Sequence, residues 1–196
     1  LVTLPGQSAF AGAVKSRASM NLFLLRHASA GTRRSNPAVD SKRSLDKDGK
    51  KYCVQLASVL TSIDVQFDLI VSSPLKRCLQ TASLVGTETG YESKILLSDA
   101  LAPEATLADF QRLLYNCAKS ENLLLVGHNP TITVFLGHLI ANGGGATPRV
   151  RLRKGSLARL SLSRGPAVLQ ALLDPRTVRA LYATSTRSSR RKTSRK

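Results

Sequence analysis

Acidic residues are scarce in this 196-residue chain: 12 Asp and Glu stand against 29 Lys and Arg, giving a formal charge of +17. Tryptophan is absent and methionine occurs once. Apolar runs such as Leu22 to Leu25 and Leu123 to Val126 fall far below the roughly 20 residues of a membrane-spanning helix, so no transmembrane segment is expected. The three cysteines, Cys53, Cys78 and Cys117, stand singly in stretches of helical period, without the paired spacing of a zinc site or a disulfide framework. That pattern is read as buried free thiols in a reducing compartment, the cytoplasm. A Walker-type glycine loop, an HExxH motif and clustered carboxylates are also missing, so neither a metal nor another cofactor is expected.

The positive charge is unevenly placed. Arg187, Arg190, Arg191, Lys192, Arg195 and Lys196 crowd the last ten residues among Ser and Thr, a composition that cannot build a packed core. Residues 183–196 are therefore read as a disordered basic tail. A second cluster, Arg149, Arg151, Arg153, Lys154, Arg159 and Arg164, contains no acid, and is either a solvated face or a surface for an anionic partner. Residues 1–19 lack periodicity and precede Met20. They are read as a disordered or non-native extension, with a transit peptide as the rival reading, and their apolar stretches are too broken for a secretory signal. One domain over residues 20–182 remains.

From Met20 onward, short apolar runs alternate with segments of helical period, the pattern of an α/β fold with a parallel sheet and crossover helices. Strands are expected at Asn21 to Leu25, Asp68 to Ser72, Lys94 to Leu97 and Leu123 to Gly127. Cys53, Leu56, Ala57 and Leu60 mark the stripe of a helix capped by Asp46. Further helices are expected to open at Ser73-Pro74, to span Thr106 to Lys119 and to run from Pro130 to Ala141. Gly143-Gly144-Gly145 breaks the chain, and Leu157 to Leu162 with Ala167 to Leu172 read as an added hairpin.

Ligands of open α/β sheets bind beyond the carboxyl ends of the strands. Three polar clusters stand there: Arg26-His27, Ser72-Ser73-Pro74 with Arg77, and Gly127-His128-Asn129-Pro130. Two arginines, two histidines and helix N-termini supply the donors and fixed charge that a phosphoryl group needs. His138, lying mid-helix between apolar residues, is read as structural.

Leu25-Arg26-His27-Ala28, Ser73-Pro74-Leu75-Lys76-Arg77 with Gln80-Thr81, and Val126-Gly127-His128-Asn129-Pro130 resemble, in order, the signature motifs of the histidine phosphatase superfamily. Arg43-Ser44-Leu45, Asp48-Gly49 and Lys154-Gly155-Ser156-Leu157-Ala158 narrow the resemblance to SixA-type phosphohistidine phosphatases. The resemblance covers roughly Met20 to Tyr182. It implies a three-layer α/β/α sandwich with a mostly parallel sheet, similar to phosphoglycerate mutase. It further implies that His27 accepts the phosphoryl group while Arg26, Arg77 and His128 clamp it, with Asn129 beside them. Ala28 stands where the family commonly has glycine, and Ser44 where SixA-type chains have proline. Arg43 is a candidate substrate contact on the rim. Glu104, with Asp40 behind it, is the candidate general acid.

The expected activity is metal-independent hydrolysis of protein phosphohistidine, on histidine-containing relay domains of signal transduction. A small phosphate ester or polyphosphate is the alternative substrate. A nucleic-acid-binding protein with an idle site is the alternative of another class, tested by salt-dependent binding that needs the tail.

Overall fold

The computed structural model describes residues 19–141, 149–163 and 165–193. Its strands are β1 (Met20–Arg26), β2 (Leu69–Ser72), β3 (Leu96–Leu97), β4 (Asn122–Gly127), β5 (Leu157–Leu162) and β6 (Val168–Leu173). They form one sheet in the order β3-β2-β4-β1-β5-β6. The pairs β3/β2, β2/β4 and β4/β1 are parallel, whereas β5 lies antiparallel to β1 and β6 antiparallel to β5. The mostly parallel α/β sheet and its carboxy-terminal hairpin are thus as expected.

The helices are α1 (Pro37–Ser41), α2 (Lys47–Thr61), α3 (Lys76–Glu88), α4 (Leu107–Asn116), α5 (Thr131–Ile140) and α6 (Pro175–Thr193). The central strands are apolar on both faces because both are covered. Phe23 and Leu25 of β1 face a core shared with Leu56, Leu60, Ala82, Val85 and Val178, from α2, α3 and α6. Leu22 and Leu24 face the opposite core with Phe110, Leu114, Phe135 and Leu136, from α4 and α5. This is the three-layer sandwich. Phe110 stacks on Phe135 with ring centroids 4.1 Å apart, fastening α4 to α5.

Local chemistry sets the helix starts. Asp46 caps α2 by accepting the Gly49 N–H at 2.7 Å, and Thr106 with Asp109 forms a capping box on α4. The helix after β2 departs from expectation: it starts at Lys76, not at Ser73-Pro74, and has no side-chain cap. Ser73 is drawn instead to His128.

Two more elements differ from the sequence reading. Helix α1 arises inside the polar loop after β1, where Asn36 caps Ala38 N–H and Pro37 opens the turn. Helix α6 carries through the segment read as a disordered tail as far as Thr193. Pro175 pre-sets its first turn, Asp174 accepts the Arg176 N–H at 2.9 Å, and Val178 anchors it in the core. Residues 1–18, the triple-glycine run, Arg164 and residues 194–196 lie outside the described residues. No helix among the described residues is long and apolar enough to cross a membrane. Cys53, Cys78 and Cys117 are free and buried.

Candidate active site

The register of the parallel strands places the polar clusters together. Arg26 pairs with Gly127, and Ser72 pairs with Val126, so His27, Ser73 and His128 leave adjacent strands at one edge. Because β5 runs the other way, its first residue Leu157 pairs with Leu25. The turn before β5 therefore joins the same rim. Gly155 N–H donates to the carbonyls of Arg26 and His27 at 3.0 and 3.1 Å, and Ser156 carbonyl accepts Arg26 N–H at 3.0 Å.

Glycine is required in that turn. Gly155 has φ +86°, and a Cβ there would collide with the Tyr52 ring, whose hydroxyl donates to the Gly155 carbonyl at 2.7 Å. Gly49 answers a second close approach, since a Cβ on it would run into the main-chain oxygen of Ser29. Ala28 has no positive φ, so no glycine is needed after His27. Its N–H donates to Thr81 Oγ1 at 3.1 Å, and Gln80 Oε1 accepts the Leu45 N–H at 2.8 Å. The Gln80-Thr81 pair thereby holds both ends of the loop that follows β1.

His27 is 5% exposed and His128 2%, with ring centroids 5.1 Å apart. His27 Nδ1 lies 2.8 Å from the Ala28 carbonyl, which can only accept. Nδ1 therefore carries the proton, and the lone pair is on Nε2. Burial, and then the charges of Arg77, Arg26 and Arg43, push the His27 pKa down to about 3. Burial likewise lowers His128 to about 3, followed by His27, Arg77, Arg26 and Arg43. Both rings are neutral near pH 7.

Each arginine is held by the main chain. Arg26 Nη1 donates to the Leu152 carbonyl at 2.8 Å. Arg77, 6% exposed, donates through Nη1 to the Asp40 carbonyl at 2.9 Å. Among the described residues the buried Nε–H of each has no hydrogen-bond partner. His128 Nε2 lies 2.9 Å from Ser73 Oγ and 3.2 Å from Cys78 Sγ. The sequence reading placed Ser73 at this rim without its partner His128 and did not single out Cys78 as a site residue, because Ser-Pro before a helix also fits a cap and buried cysteine also fits a core.

The remaining candidates divide. Arg43 is committed to the frame: Nε donates to Asp40 Oδ1 at 3.0 Å, and Nη1 to the carbonyls of Ala30 and Gly31. Asn129 uses both ends of its amide, donating to the Leu152 carbonyl at 3.0 Å and accepting from Thr133 Oγ1 at 2.8 Å. Glu104 is exposed beside Asp99, Asp109 and Arg112, and among the described residues no bond ties it to either histidine. The Arg34 N–H, then Arg43 and Arg77, hold the Asp40 pKa at about 2, so without ligand this carboxylate is ionised near neutrality. His138 is exposed, its Nε2 3.3 Å from Gln111 Nε2.

A family model of the histidine phosphatase superfamily (branch 1) matches residues 22–103. An uncharacterized protein of Picosynechococcus sp. (strain ATCC 27264 / PCC 7002 / PR-6) is 33% identical over 116 residues, which cover 58% of this chain and 68% of that protein. The chain belongs to the histidine phosphatase superfamily. The fold is that of its solved structures. The protein histidine phosphatase SixA complexed with tungstate superposes with a TM-score of 0.65 at 23% identity, over 80% of this chain and 97% of that one. Phosphoglycerate mutase from Bacillus anthracis str. Sterne gives 0.63 at 15% identity, over 82% and 95%.

Proposed function

We propose that this histidine phosphatase is a phosphohistidine phosphatase acting on phosphorylated protein side chains in the cytoplasm. The carrying observation is the neutral, buried His27 ring, its Nδ1 fixed on the Ala28 carbonyl and its Nε2 without a hydrogen bond among the described residues, flanked by Arg26, Arg77 and His128. A neutral imidazole nitrogen is a competent nucleophile near pH 7.

In the first step, His27 Nε2 attacks phosphorus, the bond from phosphorus to the leaving atom breaks, and the leaving group departs with the electron pair. Arg26 and Arg77 stabilise the equatorial oxygens as charge spreads over them. Water then attacks the phosphorus of the phosphorylated His27, the P–N bond breaks and inorganic phosphate leaves. The donor of a proton to the leaving group is the weak part of this constellation, because Asp40 is ionised and Glu104 has no tie to the histidines. An imidazole on a labile P–N bond needs less protonation than an alkoxide. That favours phosphohistidine over a phosphate ester, the second reading, which the likeness to phosphoglycerate mutase keeps in play.

The test is phosphate release from a phosphohistidine-bearing protein beside a panel of phosphate esters and polyphosphates, without added metal, for wild type and His27→Ala. Preference for phosphohistidine, lost in the variant, is expected. Preference for an ester replaces the substrate, and undiminished turnover by His27→Ala overturns the mechanism.

A further inference from the structure

A hollow of about 430 Å³ opens between the loop after His27 and the start of α2, with Arg34, Lys42, Arg43 and Asp46 on its walls beside the apolar Ala30 and Val39. It adjoins the reaction centre through Arg43. That guanidinium binds the carbonyls of Ala30 and Gly31 and, through Asp40, is joined to Arg77.

Its charges do not cancel. Arg43 is matched by Asp40, at 3.0 Å. Asp46 is consumed as a cap: it accepts Ser29 Oγ–H, Gly31 N–H and Gly49 N–H at 2.6 to 2.8 Å. Lys154 reaches across from the turn before β5 to the Gly31 carbonyl at 3.3 Å and offsets the charge of Asp46. Arg34 and Lys42 are left. Both are exposed, and among the described residues neither side chain has a hydrogen bond or ion pair. Arg33, next in the chain and also exposed, lies near enough to Arg77 to act on its charge. Two cations without an ion-pair partner among the described residues, on a hollow whose Arg43 is linked through Asp40 to Arg77, form an arrangement that attracts a second anion of the same substrate.

We propose that this hollow is an anion subsite in which Arg34 and Lys42 hold a second negatively charged group, carboxylate or phosphate, of a substrate whose phosphoryl group is transferred to His27. The enzyme then selects phosphoryl groups with an acidic neighbour, either an acidic side chain flanking a phosphohistidine or a second phosphate on a small molecule. The subsite rests on the phosphatase reading only for the identity of its substrate.

Binding tests it without turnover. Full-length His27→Ala protein is titrated by calorimetry with an alkyl monophosphate, the matching alkane bisphosphate and the matching carboxyalkyl phosphate. The two doubly anionic ligands are expected to bind roughly 10-fold more tightly at low salt. Adding Arg34→Gln with Lys42→Gln should collapse that ratio towards one, while Lys94→Gln with Lys119→Gln, equal in charge but remote in sequence, should preserve it. A ratio near one in His27→Ala, or one untouched by the Arg34/Lys42 changes, overturns the subsite. With the wild type, kcat/KM on phosphohistidine peptides with acidic and neutral flanks separates the sources: preference for acidic flanks, carried in KM, assigns the anion to protein substrates. Absence of turnover together with an intact bisphosphate preference would remove the phosphatase reading and leave the subsite standing.

Discussion

Arg77 donates through Nη1 to the main-chain carbonyl of Asp40 at 2.9 Å while lying 3.5 Å from the carboxylate of the same residue. One short helix thus grips the buried guanidinium twice. The same carboxylate accepts Arg43 Nε and the Arg34 N–H, so Asp40 fixes the loop and the clamp together.

Asp40→Ala should therefore loosen Arg77 without removing it. The expected loss is about 10- to 100-fold in kcat, the scale of a misplacement near 1 Å, and Asp40→Asn, which keeps a side-chain acceptor for the Arg34 N–H and Arg43, should fall between wild type and Asp40→Ala. Steady-state kinetics checks this. A variant with unchanged kcat would reduce Asp40 to a surface ion pair.

The acid side of the pH profile follows from the two histidines. With His27 pushed down to about 3, the nucleophile stays neutral, and kcat/KM should be flat between about pH 5 and about pH 8 on its account. An acid limb centred near 6.5 would show an exposed or charge-stabilised ring instead.

Stability carries the same signature. The folded values near 3 lie below the ordinary 6.5, so between them the unfolded chain binds more protons than the native one. The contribution of each ring is complete above pH 6.5 and is lost as pH falls towards 3. Urea unfolding at neutral pH and in mild acid should show a declining midpoint. A constant midpoint would contradict two buried neutral imidazoles.

Ser73→Ala removes the hydroxyl 2.9 Å from His128 Nε2 and leaves the thiol of Cys78 as the remaining side-chain neighbour of that nitrogen. The cost should appear in kcat more than in KM, because the imidazole is still present but less firmly aimed. About 10-fold is expected, with little change in thermal midpoint, and equal kcat would assign Ser73 to the turn alone.

Tyr52→Phe deletes the hydrogen bond to the Gly155 carbonyl and leaves that buried acceptor unpaired. It should cost about 1 to 3 kcal/mol in urea unfolding. Gly155→Ala should cost more, since a methyl group would meet the Tyr52 ring at a positive φ. The turn supports the main chain of Arg26 and His27, so both variants should also lower turnover.

Periodicity made the strands and the two apolar cores legible, because Leu22 to Leu25 and Leu123 to Val126 are buried on both faces and leave no other placement. The convergence of Arg26, His27, Arg77 and His128 was legible for a related reason: they stand at or after strand ends, and parallel pairing brings strand ends together. Long-range polar contacts were not. Nothing local distinguishes Ser73 as a cap from Ser73 as a partner of a histidine 55 residues away. Asp40 looked like an acid because sequence spacing does not show that its carboxylate would meet Arg43 and Arg77. Composition read residues 183–196 as a disordered tail, whereas α6, opened by Asp174 and Pro175 and anchored by Val178, runs on to Thr193.

The reversed direction of β5 has a wider consequence. A fifth parallel strand would have delivered its outgoing loop to the rim, followed by a helix obliged to cross the sheet. Running antiparallel, β5 brings its incoming chain there instead, and the link from α5 ends at Leu152 and Gly155, directly against Arg26 and His27. The main-chain support of Arg26 and His27 is thereby supplied from residues 152–155, ahead of β5, and a change there reaches the rim while every strand keeps its neighbours.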